Sequence, residues 1–149
     1  MIIMADTSSA GTTGDVVLNW ENGGTETSSG VMYAVYNAAS AAYDSATPAG
    51  TIHGSATTIT AKLNVPDNGL VIAASFAGCD AAPFPTWSGW KGVDEDKEQT
   101  TETVSMGGVG ASKEYANGNG DGAPVEITTV ATGYAVKASL AVISLGSAK

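Results

Sequence analysis

His53 and Cys79 are the only histidine and the only cysteine in the chain, and together they are the one pair from which a thiol nucleophile and its base could be built. A lone histidine excludes a metal site built on histidines. Cysteine is often simply buried, so the pair reads instead as a small buried thiol and a loop or strand-edge histidine. No G-x-S-x-G nucleophile turn and no phosphate-binding P-loop is present. The string "GNGDGA", residues 118–123, matches a dinucleotide-binding fingerprint by letter. Pro124 and a strand pattern follow it where that fingerprint needs a helix. "NGNGDG", residues 117–122, fits the first half of a calcium loop, with oxygens at positions one, three and five and glycine at six. The closing position falls on Thr128, two residues beyond Glu126, so the string reads first as a Gly/Asn hairpin loop. The acidic run "DEDKE", residues 94–98, with Glu102 beyond it, offers adjacent carboxylates. Adjacent like charges repel, and nothing beside them argues burial of one, so a solvated loop or strand edge is expected. Trp87, Trp90 and Phe84, in and around "PFPTWSGW", are the candidate interface or glycan contacts. A spacing of three within a strand turns the two indoles to opposite faces, one to the core and one to the surface. Core or interface is the reading preferred for them over sugar stacking. No catalytic, cofactor-binding or metal-ligating residue is expected.

The elements that must position these residues are strands. In "ITAKLNV", Ile59, Ala61, Leu63 and Val65 share one face, with Thr60, Lys62 and Asn64 on the other. "YAVKASLAVI" groups Tyr134, Val136, Ala138, Leu140 and Val142. "DVVLNW", "VMYAVY" and "PVEITTVA" alternate in the same way. A period of two marks half-buried antiparallel strands. "LVIAASFA", a small-residue run that is apolar but for Ser75, is the exception and does not alternate. Between these segments stand "ENGG", "ATPAG", "VPDNG", "GNGDG" and "ATGY", where Asn, Asp, Pro and Gly supply turn conformations. Asn68–Gly69 suits a tight hairpin. "AVYNAASAAYDSA", from Ala34 to Ala46, is rich in alanine but reads better as the end of a strand and then a loop from Asn37 to Thr47. The pattern predicts an all-β, antiparallel sandwich or barrel.

With 149 residues the chain is expected to form one domain, residues 15–149, preceded by an N-terminal arm, residues 1–14. Only 14% of residues are charged, against about 25% in an ordinary soluble domain. Net charge is −9, every basic residue is lysine and arginine is absent. Nucleic acids and anionic membranes demand a basic footprint, so both are excluded as expected partners. The start "MIIMADTSSAGTTGD" reads as neither a signal peptide nor a span, and a single cysteine forms no internal disulfide. The chain is expected to be soluble and made in a reducing cytoplasm.

The order of features resembles a small β-sandwich module of tailed-bacteriophage virion proteins. The residues that carry the resemblance are "AVYNAASAAYDSATPAG" (34–50), "LNVPDNGLVIAASFAG" (63–78), "TWSGWKGVDED" (86–96) and "YAVKASLAVISL" (134–145). Each piece is common, and the ordered set is what is specific; it spans roughly residues 12–145. The resemblance implies a jelly-roll-like sandwich and a structural role in capsid decoration, a head fibre or a tail fibre. It brings no catalytic residues. The implied place is the virion surface. The implied partners are the major capsid protein or another virion subunit, and further copies of the chain, with a trimer favoured. A host glycan is the alternative partner, for an attachment module.

Overall fold

The computed structural model describes residues 33–51, 56–79, 85–100, 105–120, 122–132 and 135–148. No helix occurs among them. Nine strands do: β1 (Asp44–Ala46), β2 (Ala49–Thr51), β3 (Ala56–Leu63), β4 (Gly69–Cys79), β5 (Thr86–Ser88), β6 (Asp94–Thr100), β7 (Ser105–Tyr115), β8 (Val125–Thr132) and β9 (Ala135–Leu145). Every strand pairing is antiparallel. One sheet has the order β1-β9-β4-β7-β6, with β2 also on β9, and the other has the order β3-β8-β5. The fold is an all-β sandwich, as the alternation predicts.

The two sheets meet through the face that the period of two selects. Ile59, Ala61 and Leu63 of β3 and Ile127 and Ala131 of β8 pack in one core with Val71, Ala73 and Ala77 of β4, Ala111 of β7, and Ala138, Leu140 and Val142 of β9. Thr60, Lys62 and Asn64 stand outside it, exposed. On that outer face the register sets Thr60 against Thr128 and Lys62 against Glu126. The first pair shares a hydroxyl hydrogen bond of 2.9 Å and the second an ion pair of 2.6 Å. Both ion-pair partners are exposed, so the pair adds little stability.

β4 lies between β7 and β9 along its whole length. Its second face is covered as well. Ile72 pairs with Ile143 and Leu70 with Leu145, and Tyr33, Val35 and Ala38 pack over this group. A strand covered on both sides has no polar face to show, which is why "LVIAASFA" does not alternate.

Three local expectations are corrected. Asn68 does take positive φ, 52°, but the turn it makes is no hairpin. β3 pairs with β8 and β4 with β7 and β9, so residues 64–68 carry the chain from one sheet to the other. The core claims Val65, which is 1% exposed, and the Asn68 N–H donates to Ala116 O at 3.2 Å rather than closing a turn. The expected loop from Asn37 to Thr47 holds strand β1. Its backbone is drawn to the edge of β9: Tyr43 N–H donates to Ser144 O at 2.8 Å, and Asp44, Ser45 and Ala46 pair with Ser144, Ile143 and Val142. Thr47 and Pro48 break this edge between β1 and β2, where a proline leaves no ladder donor missing from the sheet interior. Residues 33–36 are not strand, yet their alternation survives in burial, with Tyr33 and Val35 half-buried and Ala34 and Tyr36 exposed. The 1–14 arm and "DVVLNW" lie outside the described residues.

Candidate functional site

Trp87 lies on β5, directly opposite Thr129 of β8. That pairing aims the indole to the same inner side as Thr129, which is buried. β5 ends at Ser88, and Gly89 at φ +75° takes the chain out of the strand alternation. Trp90 therefore returns to the same side as Trp87. Their ring centroids are 5.3 Å apart with planes at 78°, an edge-to-face pair. The expectation of opposite faces is corrected: Trp90 is a core residue, 7% exposed, and Trp87 is half-buried against the same cluster. The spacing rule fails because it assumes an unbroken strand. Phe84 lies outside the described residues.

Trp90 is fixed by a partner that the sequence did not mark. Its Nε1–H donates to the Tyr115 hydroxyl oxygen at 2.9 Å. Burial pushes the Tyr115 phenol above its ordinary value, while the hydrogen bond from Trp90 favours the phenolate and acts against that. The Lys113 ammonium stands 5.2 Å from the centre of the Tyr115 ring and donates to Lys91 O at 2.6 Å. These contacts hold the loop after β5 against the end of β7.

A second cluster joins the sheet crossing to the loop between β7 and β8. Asn119 Oδ1 accepts the Val65 N–H at 2.5 Å, and the Asn119 N–H donates to Val65 O at 3.0 Å. Asn119 Nδ2 donates to Asn64 Oδ1 at 3.2 Å. Asp67 Oδ1 accepts the Gly118 N–H at 2.8 Å. On its other flank, Asn64 donates its N–H to Asp44 Oδ2 at 2.7 Å, and Ser144 Oγ donates to Asn64 O at 2.6 Å. The two loops approach so closely that a Cβ on Gly118 would meet Val65 O at 2.1 Å. The "NGNGDG" string is thus a side-chain and backbone latch. Its third residue, the calcium-loop oxygen of Asn119, is spent on the Val65 amide. Asp121, the fifth position, lies outside the described residues. Among the described residues no group of three or more His, Cys, Asp and Glu is placed to hold a metal ion.

The remaining candidates are placed as follows. The acidic run begins β6, which among the described residues is an edge strand of the larger sheet, paired with β7 alone. This is the strand edge that charge repulsion leads one to expect, and charge on an edge discourages pairing with another chain. Cys79 is the last residue of β4, and His53 lies outside the described residues. Among the described residues the exposed large apolar side chains are not Trp87 or Trp90 but Tyr36 and Tyr43, 89% and 61% exposed, on the loop before β1. No helix among the described residues is long and apolar enough to cross a membrane. The arrangement around Trp90 and Asn119 offers packing and hydrogen-bonded closure. Comparison with protein-family models, with curated proteins and with solved structures gives no match for this chain.

Proposed function

We propose that the chain is a structural virion protein of a tailed phage or phage-like particle, a capsid-decoration or head-fibre subunit that binds the outer shell without covalent attachment. One observation supports this above others: the segments whose order resembles the phage module are the frame of the sandwich. "ATPAG" supplies the broken edge of β1 and β2, "NVPDNG" the crossing between sheets, "LVIAAS" the central strand, "AVKASLAVISL" the strand beside that one and "TWSGW" the corner. Side chains spent on a frame suit a subunit whose task is shape and contact. A net charge of −9 without arginine suits a protein kept soluble at high copy number. Further copies of the chain, arranged around a symmetry axis, would match a repeated lattice.

Copy number in purified particles tests the reading, measured by quantitative mass spectrometry against the most abundant shell protein. A ratio comparable with the shell protein supports decoration. A ratio far below it supports a vertex, fibre or tail part. Absence from particles removes the virion reading. The second reading, a glycan-binding attachment module, loses its expected platform because Trp90 is buried and Trp87 is turned inward beside it. It keeps an aromatic surface at Tyr36 and Tyr43.

A further inference from the structure

Two buried polar atoms of the sandwich interior, Trp87 Nε1 and Thr129 Oγ1, have no hydrogen-bond partner among the described residues. They belong to residues directly opposite each other on β5 and β8. On its other side Thr129 faces Ile59, an apolar core residue. The row across the smaller sheet is therefore Ile59, Thr129, Trp87, a hydroxyl set between a hydrocarbon side chain and an indole. Buried polar atoms in native proteins are satisfied by protein or by ordered water almost without exception. Cβ atoms of directly opposed residues lie roughly 4.5–5.5 Å apart, and both side chains turn to the inner side of the smaller sheet. A single water bridges two partners about 4.5–5 Å apart at ordinary hydrogen-bond lengths and a tetrahedral angle.

We propose that one internal water molecule is bound between the Trp87 indole N–H and the Thr129 hydroxyl. The water oxygen accepts from Trp87 Nε1–H, and the water and the threonine hydroxyl share the second hydrogen bond. The site fixes the rotation of the Trp87 ring, and with it the edge-to-face contact on Trp90. Trp90 needs no such water, since its own N–H is already bonded to Tyr115.

A high-resolution crystal structure of the whole chain, alone and as Thr129→Val, tests this. The expected result is a water peak within hydrogen-bond distance of both atoms in the unaltered protein and its loss in the valine variant. A direct bond from Trp87 Nε1 to Thr129 Oγ1 would overturn the proposal, as would an absence of density between them. Should Thr129→Val fail to fold, Thr129→Ser keeps the hydroxyl and must keep the water peak. In solution, the Trp87 indole proton, assigned by its loss in Trp87→Phe, is expected to show a cross-peak to water that the Trp90 indole proton lacks. The same behaviour of the two indole protons would count against the site.

Discussion

Asn119 grips Val65 from both sides, accepting its N–H at 2.5 Å through Oδ1 and donating its own N–H to the Val65 carbonyl at 3.0 Å. Val65 is the first core residue after β3, at the point where the chain leaves one sheet for the other. The pair therefore decides where the two sheets are tied together. Asn119→Ala strands the Val65 amide and removes the bond to Asn64. The expected loss of unfolding free energy is about 1–3 kcal/mol, read as a lower denaturant midpoint with an unchanged slope. An unchanged midpoint would show that the latch is not part of the folded state's stability.

Gly118 makes a sharper test of the same approach. A methyl group there would collide with Val65 O and the Pro66 backbone, and backbone atoms of a packed loop do not give way cheaply. Gly118→Ala is expected to cost about 1–3 kcal/mol or more by overpacking. Trimming the exposed Asn117 side chain with Asn117→Ala should leave the midpoint within about 0.5 kcal/mol. Equal effects from the two variants, in thermal or denaturant unfolding, would contradict the close contact of the loops.

How much of this is legible in the sequence depends on the range over which a residue acts. Ile59, Ala61, Leu63 and Val65 announce their face because alternation is a local property, and the structure buries all four. The run "LVIAASFA" of β4 lacks that alternation, and the structure covers the strand on both sides. Asn68–Gly69 reveals a turn through its backbone preference, and Asn68 takes the positive φ. Which strands the turn connects depends on β8, some sixty residues away, so the hairpin expectation fails. The Trp87 and Trp90 spacing misleads because a single residue, Gly89, resets the direction of the chain. Asn119 announces only its place in a Gly/Asn loop and an oxygen that calcium could use, while its partner, Val65, lies far off in sequence. Tyr115 carries no local mark at all; only the return of β7 beside the corner gives it Trp90 as a neighbour.

Tyr115 adds a dependence on pH. Burial raises its phenol above the ordinary value near 10. The folded state then holds the phenolic proton more tightly than the unfolded chain. The contribution is fully present below about pH 10 and is lost as pH rises through the unfolded value towards the folded one. Unfolding free energy is expected to fall more steeply with alkali in the unaltered chain than in Tyr115→Phe, measured by denaturant midpoints on either side of pH 10. Parallel slopes would show that Tyr115 titrates alike in both states. At neutral pH, Tyr115→Phe also leaves the Trp90 N–H unpaired and should itself destabilise.

The surface and the core make opposite predictions for aromatic residues. Trp90 is buried, stacked and hydrogen-bonded, so Trp90→Ala is expected to cost about 3–5 kcal/mol. Tyr36 and Tyr43 project from a loop whose backbone is already fixed, with Tyr43 N–H on Ser144 O and Ala148 N–H on Asn37 O. Removing both phenols should leave stability within about 0.5 kcal/mol per residue. Function separates the two proposed roles. For an attachment module, the Tyr36→Ala, Tyr43→Ala double variant loses binding to immobilised host polysaccharide while its unfolding curve is unchanged. For a decoration or fibre subunit, that variant still reaches particles, and deletion of residues 1–14 lowers its copy number there. A chain that keeps both polysaccharide and particle binding after both changes would place its contacts elsewhere on the sandwich. The outer face of β3 and β8, with Thr60, Lys62, Glu126 and Thr128, would be the next surface to alter.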